Sequence, residues 1–389
     1  MNNVVSKEPG ALHRMIQAND FSRQWKDLRE DALAAFNAVG TSGSYVLGDE
    51  GRAFEQHLST FWGLSRTVSV ASGLDAIEIS LRALGCGRGD RVLTTPISAF
   101  ATTLAIVKLG AIPVFVDTDA QGLIDLERCR DLLQRRGDIR FFVPVHLYGF
   151  VLDTSKLLRL REEHELMLVE DCAQSICGRC RGEATGNAGQ LTATSFYPTK
   201  NLGAMGDGGA VLTNDVELAS RVRALRDYGQ TSKYRHDYIG YNSRLDEIQA
   251  AFLRRACLPR LICWTCRRSE IAAAYRDGIR NSAVRLPVPW EGSEPSWHLF
   301  PIWIAPERRE SFLQHMSERD VFIGIHYPIA IPDQTALASV PFEMADPCEN
   351  ARRLCASEAS LPIHPYLTDA EVAEVIAAVN TWPEGPIQR

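Results

Sequence analysis

The sequence predicts an α/β protein, with a large domain on a mostly parallel sheet followed by a smaller α+β domain. Three observations carry this reading. Between Thr67 and Glu170, short apolar runs alternate with stretches of helical periodicity, the mark of βαβ units around a sheet covered on both faces. Near residue 245 that alternation gives way to a long helical stretch and then to proline-rich connections. A chain of 389 residues, 45% hydrophobic and 23% charged, has the length and composition for two or three ordinary globular domains.

Taken in order, residues 1–20 form an N-terminal arm, 21–245 the large domain and 246–389 the small one. Trp25, Leu28, Ala32, Phe36 and Val39 recur at helical spacing from Phe21, and Gly40 and Gly43 close that helix. Tyr45 to Gly48 makes a short extended link. Phe54, Leu58 and Phe61 mark a second helix, stopped near Gly63. Strands are then expected at 67–71, 91–95, 112–116, 140–145 and 166–170. Helices are expected at 75–84, 100–109, 126–135 and 154–164. Two further strands, 192–197 and 209–213, flank a glycine-rich loop, and a helix starts near Asp215. The second part begins with one or two long helices over 245–279. A strand at 299–305, a helix near 309–319, an extended IGIHYP stretch and a last helix at 369–381 complete it.

The totals exclude several classes. A net charge of −6 with no concentrated basic patch argues against nucleic-acid binding. No run approaches the roughly 20 apolar residues of a membrane span. The first residues, MNNVVSKEPGALHRM, lack the apolar core of a secretory signal. Ten cysteines in such a chain fit reduced thiols and a cytoplasmic location. The CxxC pairs Cys177/Cys180 and Cys263/Cys266, with Cys172 nearby, fall beside a turn and inside a helical pattern, so no metal site is expected. The segment Val68–Leu84 offers no GxGxxG after the first strand, which removes a dinucleotide-binding oxidoreductase.

What remains is organised around TATSFYPTKNLGAMGDGGAVLTND, where a loop presents a single lysine, Lys200. Most lysines are merely solvated; one held where a carbonyl reaches it serves Schiff-base chemistry. Asp171 ends a buried strand in LVEDCAQ, a place where a carboxylate needs a partner such as a protonated pyridine nitrogen. Gln174 lies three residues on. Ser72-Gly73-Leu74-Asp75 joins a strand to a helix N-terminus, which suits a phosphate, and Ser195 offers a hydroxyl to the same group. One cofactor accounts for the lysine, carboxylate, turn and serine together: pyridoxal 5'-phosphate (PLP), with its aldehyde, ring nitrogen and phosphate.

The blocks VASGLDAIEISLRALG, PVFVD, PVHLYG, VEDCAQ, SFYPTKNLGAMGDGGAVLTND and GYNSRLDEIQAA resemble the DegT/DnrJ/EryC1/StrS family of sugar aminotransferases. The resemblance implies the fold-type-I, aspartate-aminotransferase-like architecture. It implies an aldimine on Lys200, Asp171 against the pyridinium, and Gln174 near the ring's exocyclic oxygen. Ser72, Gly73 and Ser195 would hold the phosphate, with Leu74 supplying a backbone N–H where many members carry threonine. Asn242 would reach the phosphate from the neighbouring subunit of a homodimer with shared sites. Members commonly stack an aromatic on the ring. An ungapped match puts Ala99 at that position, so either Phe100 stacks through a local shift or another group covers the ring. His326 and Tyr327 are expected along the sugar or nucleotide path.

The implied reaction is ping-pong transfer of an amino group from L-glutamate to a nucleotide-linked keto sugar. The form of the lysine loop is most similar to members acting on dTDP-linked 3-keto-6-deoxyhexoses. The alternatives are a UDP-4-keto sugar or an aminocyclitol precursor as acceptor, or a sensor that keeps the fold without catalysis. Related dehydratases carry histidine in place of the lysine, so Lys200 argues against that activity.

Overall fold

The computed structural model describes residues 15–383, so most of the expected arm, residues 1–14, lies outside the described residues. Its described end is well attached. Ile16 is buried, pairs with Val321 and donates its N–H to Asp320 O at 2.7 Å.

Two helices lead into the sheet. Helix α1 (Phe21–Ser42) starts where Asp20 accepts the N–H groups of Ser22 and Arg23, and buries Leu28, Ala32, Ala35 and Val39. It runs through Gly40, which the sequence reading made a stop, and ends at Gly43 in the left-handed region. Helix α2 (Asp49–Trp62) buries Phe54, Leu58 and Trp62. Its unpaired N-terminal N–H groups are met from far along the chain by the buried Glu247 carboxylate, which accepts from Gly48, Glu50 and Gly51 at 2.8–3.0 Å.

The alternation expected from the sequence then appears. Its elements are β1 (Arg66–Val70), α3 (Gly73–Ala83), β2 (Arg91–Thr94), α4 (Phe100–Lys108), β3 (Ile112–Phe115), α5 (Leu126–Leu133), β4 (Ile139–Val143), α6 (Thr154–Glu163) and β5 (Met167–Asp171). They are followed by β6 (Leu191–Ser195), β7 (Gly209–Thr213) and α7 (Val216–Arg226). Asp125, Asp153 and Asp215 cap α5, α6 and α7 by accepting backbone N–H groups, the usual reason such residues start helices.

The stretch 245–279 is helical but broken. Helix α8 (Glu247–Phe252) passes through a π-helical turn at 253–257 and a 3-10 turn at 258–260 before α9 (Leu261–Gly278). Pro259, which has no N–H to donate, sits at that break. A small antiparallel sheet joins β8 (Val284–Arg285), β9 (Phe300–Ile304) and, beyond β10 (Glu343–Met344), β11 (Glu358–Leu361). Helices α10 (Arg309–Ser317), α11 (Glu349–Ser357) and α12 (Asp369–Asn380) complete this part.

The large sheet has the order β1-β7-β6-β5-β4-β2-β3-β10. Only β7 runs antiparallel to its neighbours. The edge strand β10 comes from the C-terminal part of the chain and pairs parallel with β3; nothing in the sequence pattern announced it. The register puts Val70, Gly209 and Ser195 in one row across β1, β7 and β6. Asp171 is paired with Ala193 of β6. The carboxyl ends of β1, β5 and β6 therefore open on one place, where ligands of such sheets bind.

Candidate active site

A cavity of about 690 Å³ lies at that place. Nine of the residues expected from the sequence line it: Ser72, Gly73, Leu74, Asp171, Gln174, Ser195, Lys200, His326 and Tyr327.

Lys200 is carried by the turn after β6, where its N–H bonds to Tyr197 O at 2.8 Å and Ala204 N closes the loop on Phe196 O. Asn201 next to it donates to Ser296 O at 2.9 Å, so the loop is tied to the later part of the chain. Burial lowers the lysine from the usual range to about 8, against the opposing pull of Asp171. An amine so placed releases its proton near pH 8 rather than near 10.5, so a useful fraction is uncharged and able to attack a carbonyl close to neutrality.

Asp171 is buried. Its Oδ2 accepts from Thr102 Oγ1 at 2.8 Å and its Oδ1 from Ala173 N at 3.1 Å. Burial nonetheless raises its pKa, with those two bonds and the charge of Lys200 opposing. A cation brought against it would restore the charged form.

Gln174 is fixed at both ends. Its Oε1 accepts from Tyr148 N at 2.6 Å and its Nε2 donates to Tyr327 Oη at 3.2 Å. Burial pushes the Tyr327 hydroxyl up to about 12, so it stays protonated.

The turn before α3 meets the end of β6 at very short range. A Cβ on Gly73 would lie 2.6 Å from Ser195 Cβ, and one on Gly209 would lie 2.3 Å from Ser72 O. Only glycines permit this approach. It sets the free N–H groups of the first turn of α3 beside the Ser195 hydroxyl, whose oxygen accepts from Tyr197 N at 3.2 Å and keeps its proton for another acceptor. The Ser72 hydroxyl caps α3 by accepting from Asp75 N at 3.1 Å.

Two expected residues are elsewhere. Phe100, the first residue of α4, is absent from the cavity wall and packs on the hydrophobic core, while Ala99 lines the cavity. As the first residue of α4, Phe100 packs its side chain against the core. Asn242 is exposed and does not line the cavity of its own chain. Its neighbour Ser243 accepts from Ala71 N at 3.0 Å and donates to Asp75 Oδ2 at 2.6 Å, which ties this segment to the turn before α3.

Other wall residues escaped the sequence reading. Thr102 ends the stretch read for a stacking aromatic, with no role of its own expected there. His298 is buried, holds Asn201 Oδ1 at 3.2 Å through Nδ1, and is kept neutral by burial and the nearby Lys200. Only its distance in sequence hid it. Among the described residues one group has the makings of a metal site, His146, Glu170 and Cys172. Its carboxylate and imidazole are already engaged with each other and with backbone N–H groups.

The donor set fits PLP: a buried carboxylate for a pyridinium, a lysine with a lowered pKa for an aldehyde, and a helix N-terminus with a serine hydroxyl for a phosphate. Residues 26–380 match the DegT/DnrJ/EryC1/StrS aminotransferase family. The chain belongs to this family.

It is thus a PLP-dependent aminotransferase of fold type I. It is 40% identical, over 94% of its length and 95% of the relative's, to dTDP-3-amino-3,4,6-trideoxy-alpha-D-glucose transaminase of Streptomyces venezuelae. It is 34% identical to UDP-N-acetyl-3-dehydro-alpha-D-glucosamine 3-aminotransferase of Acidithiobacillus ferrooxidans, over 94% and 97% of the two chains. The crystal structure of S. venezuelae DesV in complex with a ketimine intermediate matches the aminotransferase with a TM-score of 0.89 at 38% identity. That match covers 95% of this chain and 98% of that one. Among the described residues no helix is long and apolar enough to cross a membrane.

Proposed function

We propose that this aminotransferase moves an amino group from L-glutamate to the ketone of a nucleotide-linked sugar, with a dTDP-linked 3-keto-6-deoxyhexose as acceptor. The observation that carries the reading is the convergence of Lys200, Asp171, Ser195 and the turn before α3 on one cavity. The 40% identity to a transaminase named for a dTDP-3-amino sugar supports the acceptor.

When bound, PLP supplies an electron-withdrawing pyridinium ring. The chain does the rest. Asp171 holds the ring nitrogen's proton, and Thr102 and Ala173 N keep that carboxylate aimed. Gln174, locked by Tyr148 and Tyr327, would lie against the ring and help hold it. The first turn of α3 and Ser195 anchor the phosphate. Lys200, uncharged once released, takes a proton from the amine-bearing carbon and returns it across the cavity. With Phe100 packed on the core, the small side chain of Ala99 lines the cavity in its place.

We assign the working form as a homodimer in which Asn242 completes the partner's phosphate site. Its exposure, and the exposed apolar residues Tyr45, Val46, Met205, Tyr234 and Ile239, support this. Residues 21–245 serve as the cofactor domain, and 246–389 bring His298, His326 and Tyr327 over it. Ten unpaired cysteines suit the reducing cytoplasm.

The test is spectroscopic. Loaded protein should lose its visible cofactor band on L-glutamate and recover it on the dTDP-linked keto sugar, and Lys200→Ala should show neither change. Recovery with a UDP-linked 3-keto sugar alone would move the acceptor to the class named for the A. ferrooxidans relative.

A further inference from the structure

Glu358 is a carboxylate that the chemistry above does not use. It is fully buried at the start of β11, and its two oxygens have separate duties. Oε2 accepts the backbone N–H of His326 at 2.6 Å, and Oε1 is bonded to Ser360 Oγ. Ser360 Oγ is in turn 2.9 Å from His326 Nδ1. Ser360 and His326 both line the cavity. The Tyr148 hydroxyl holds the carbonyl of His326 from the other side. Among the described residues Nε2 of His326 has no hydrogen-bond partner, so it is the ring atom left for a ligand.

We propose that Glu358, acting through Ser360, is a positioning residue that sets which nitrogen of His326 carries the proton, and so whether the cavity meets an N–H donor or a lone pair. The logic is one of hydrogen-bond polarity. A protonated Glu358 donates from Oε1 to Ser360 Oγ. Ser360 then donates to Nδ1, and the ring proton sits on Nε2. An ionised Glu358 accepts from Ser360, whose oxygen must then accept from Nδ1–H, leaving a lone pair on Nε2. In passing from the first state to the second, one proton moves from Glu358 to Ser360 and one from Ser360 to Nδ1. The Nε2 proton goes to water in the cavity, a net loss of one.

Burial pushes Glu358 up to about 8, while the bonds from Ser360 and His326 N and the charge of Arg309 oppose the rise. The other groups facing it are Cys355 of α11 and the Tyr148 and Tyr327 hydroxyls. His326 itself is lowered to about 4 by burial and by Lys200 across the cavity. The imidazole is therefore neutral throughout, and at neutral pH it shows Nε2–H. A neutral donor there suits an oxygen of the substrate, a sugar carbonyl or hydroxyl or a glutamate carboxylate. The inference rests on reading this cavity as the aminotransferase site.

The experiment uses PLP-loaded enzyme labelled with 15N-histidine, with the His326 signals identified by their loss in His326→Gln. Between about pH 6.5 and about pH 9.5 the ring proton should pass from Nε2 to Nδ1 with a midpoint near that of Glu358. Glu358→Gln keeps one acceptor for the backbone N–H and one donor for Ser360, so it should hold the proton on Nε2 throughout. Ser360→Ala breaks the chain and should abolish the pH-linked exchange. In kinetics the wild type should show KM rising about tenfold above that midpoint, the loss of one hydrogen bond, and Glu358→Gln should show no such rise. A His326 tautomer that does not change in the wild type, or that changes alike in Glu358→Gln, overturns the proposal. Absence of the cofactor band would instead overturn the aminotransferase reading, since the tautomer is measured without substrate.

Discussion

Glu170 and Asp171 are adjacent in β5 and face opposite sides of the sheet. Glu170 is met by His146 Nε2 at 2.9 Å and by the N–H groups of Gly186, Ala188 and Gly189 at 2.6–3.2 Å. Its pKa is lowered despite burial, through the His146 contact and those backbone bonds. Asp171 opens on the cavity with Thr102 and one backbone N–H, and its pKa is raised. One carboxylate is spent on structure and the other is left for a ligand.

Amide replacements should separate them. Asp171→Asn should keep the fold and lower transamination by about 100-fold or more, the usual effect of removing a preorganised electrostatic partner. Glu170→Gln should lower thermal stability, by about 1–3 kcal/mol for a group whose buried partners lose their acceptor. Thermal unfolding and steady-state rates on the two variants check both.

The lysine predicts a pH profile. A folded-state value near 8, below the ordinary 10.5, means the uncharged amine fraction grows as pH rises through about 8 and then saturates. The rate at which unloaded enzyme captures PLP should follow that curve. Asp171 raises the lysine's value, so Asp171→Asn should move the inflection to lower pH. Stopped-flow absorbance measures the shift.

Two glycines should respond oppositely to alanine. At Gly73 a Cβ would meet Ser195 Cβ at 2.6 Å, so Gly73→Ala should weaken PLP retention about tenfold or more, or roughly 1.4 kcal/mol. At Gly40, inside α1, a Cβ would meet nothing within 4 Å, so Gly40→Ala should stabilise by up to about 1 kcal/mol. Cofactor titration and thermal melting report the two.

If Asn242 serves the partner's site, Lys200→Ala and Asn242→Ala chains should complement one another. Each is impaired alone. In a mixed dimer one site receives both lesions and the other neither. Equal mixtures that exchange subunits freely should recover about a quarter of the wild-type sites. No recovery on mixing would show that Asn242 does not serve the partner's site.

Much of this was written in local sequence. The strand–helix alternation and the SFYPTKNLG and VEDCAQ blocks depend on neighbours within a few residues. Periodicity read the alternation, while the caps at Asp125, Asp153 and Asp215 that start three of its helices emerged with the structure. Helix α1 passing Gly40 is a small departure of the same kind: an interior glycine weakens a helix without ending it when one face is buried.

The sequence by itself determined the α/β class and the family, because each rests on short-range pattern or on a contiguous motif. Only the tertiary structure decided that Gly73 and Gly209 let three chain segments touch, that Phe100 packs on the core, that Thr102, His298 and Ser360 stand at the cavity, and that the buried Glu358 backs Ser360. Those contacts join residues tens to hundreds of positions apart, as Thr102 joins Asp171 and Glu247 joins Gly48. Whether a side chain faces core or cavity is set by packing between elements, a choice no local periodicity encodes.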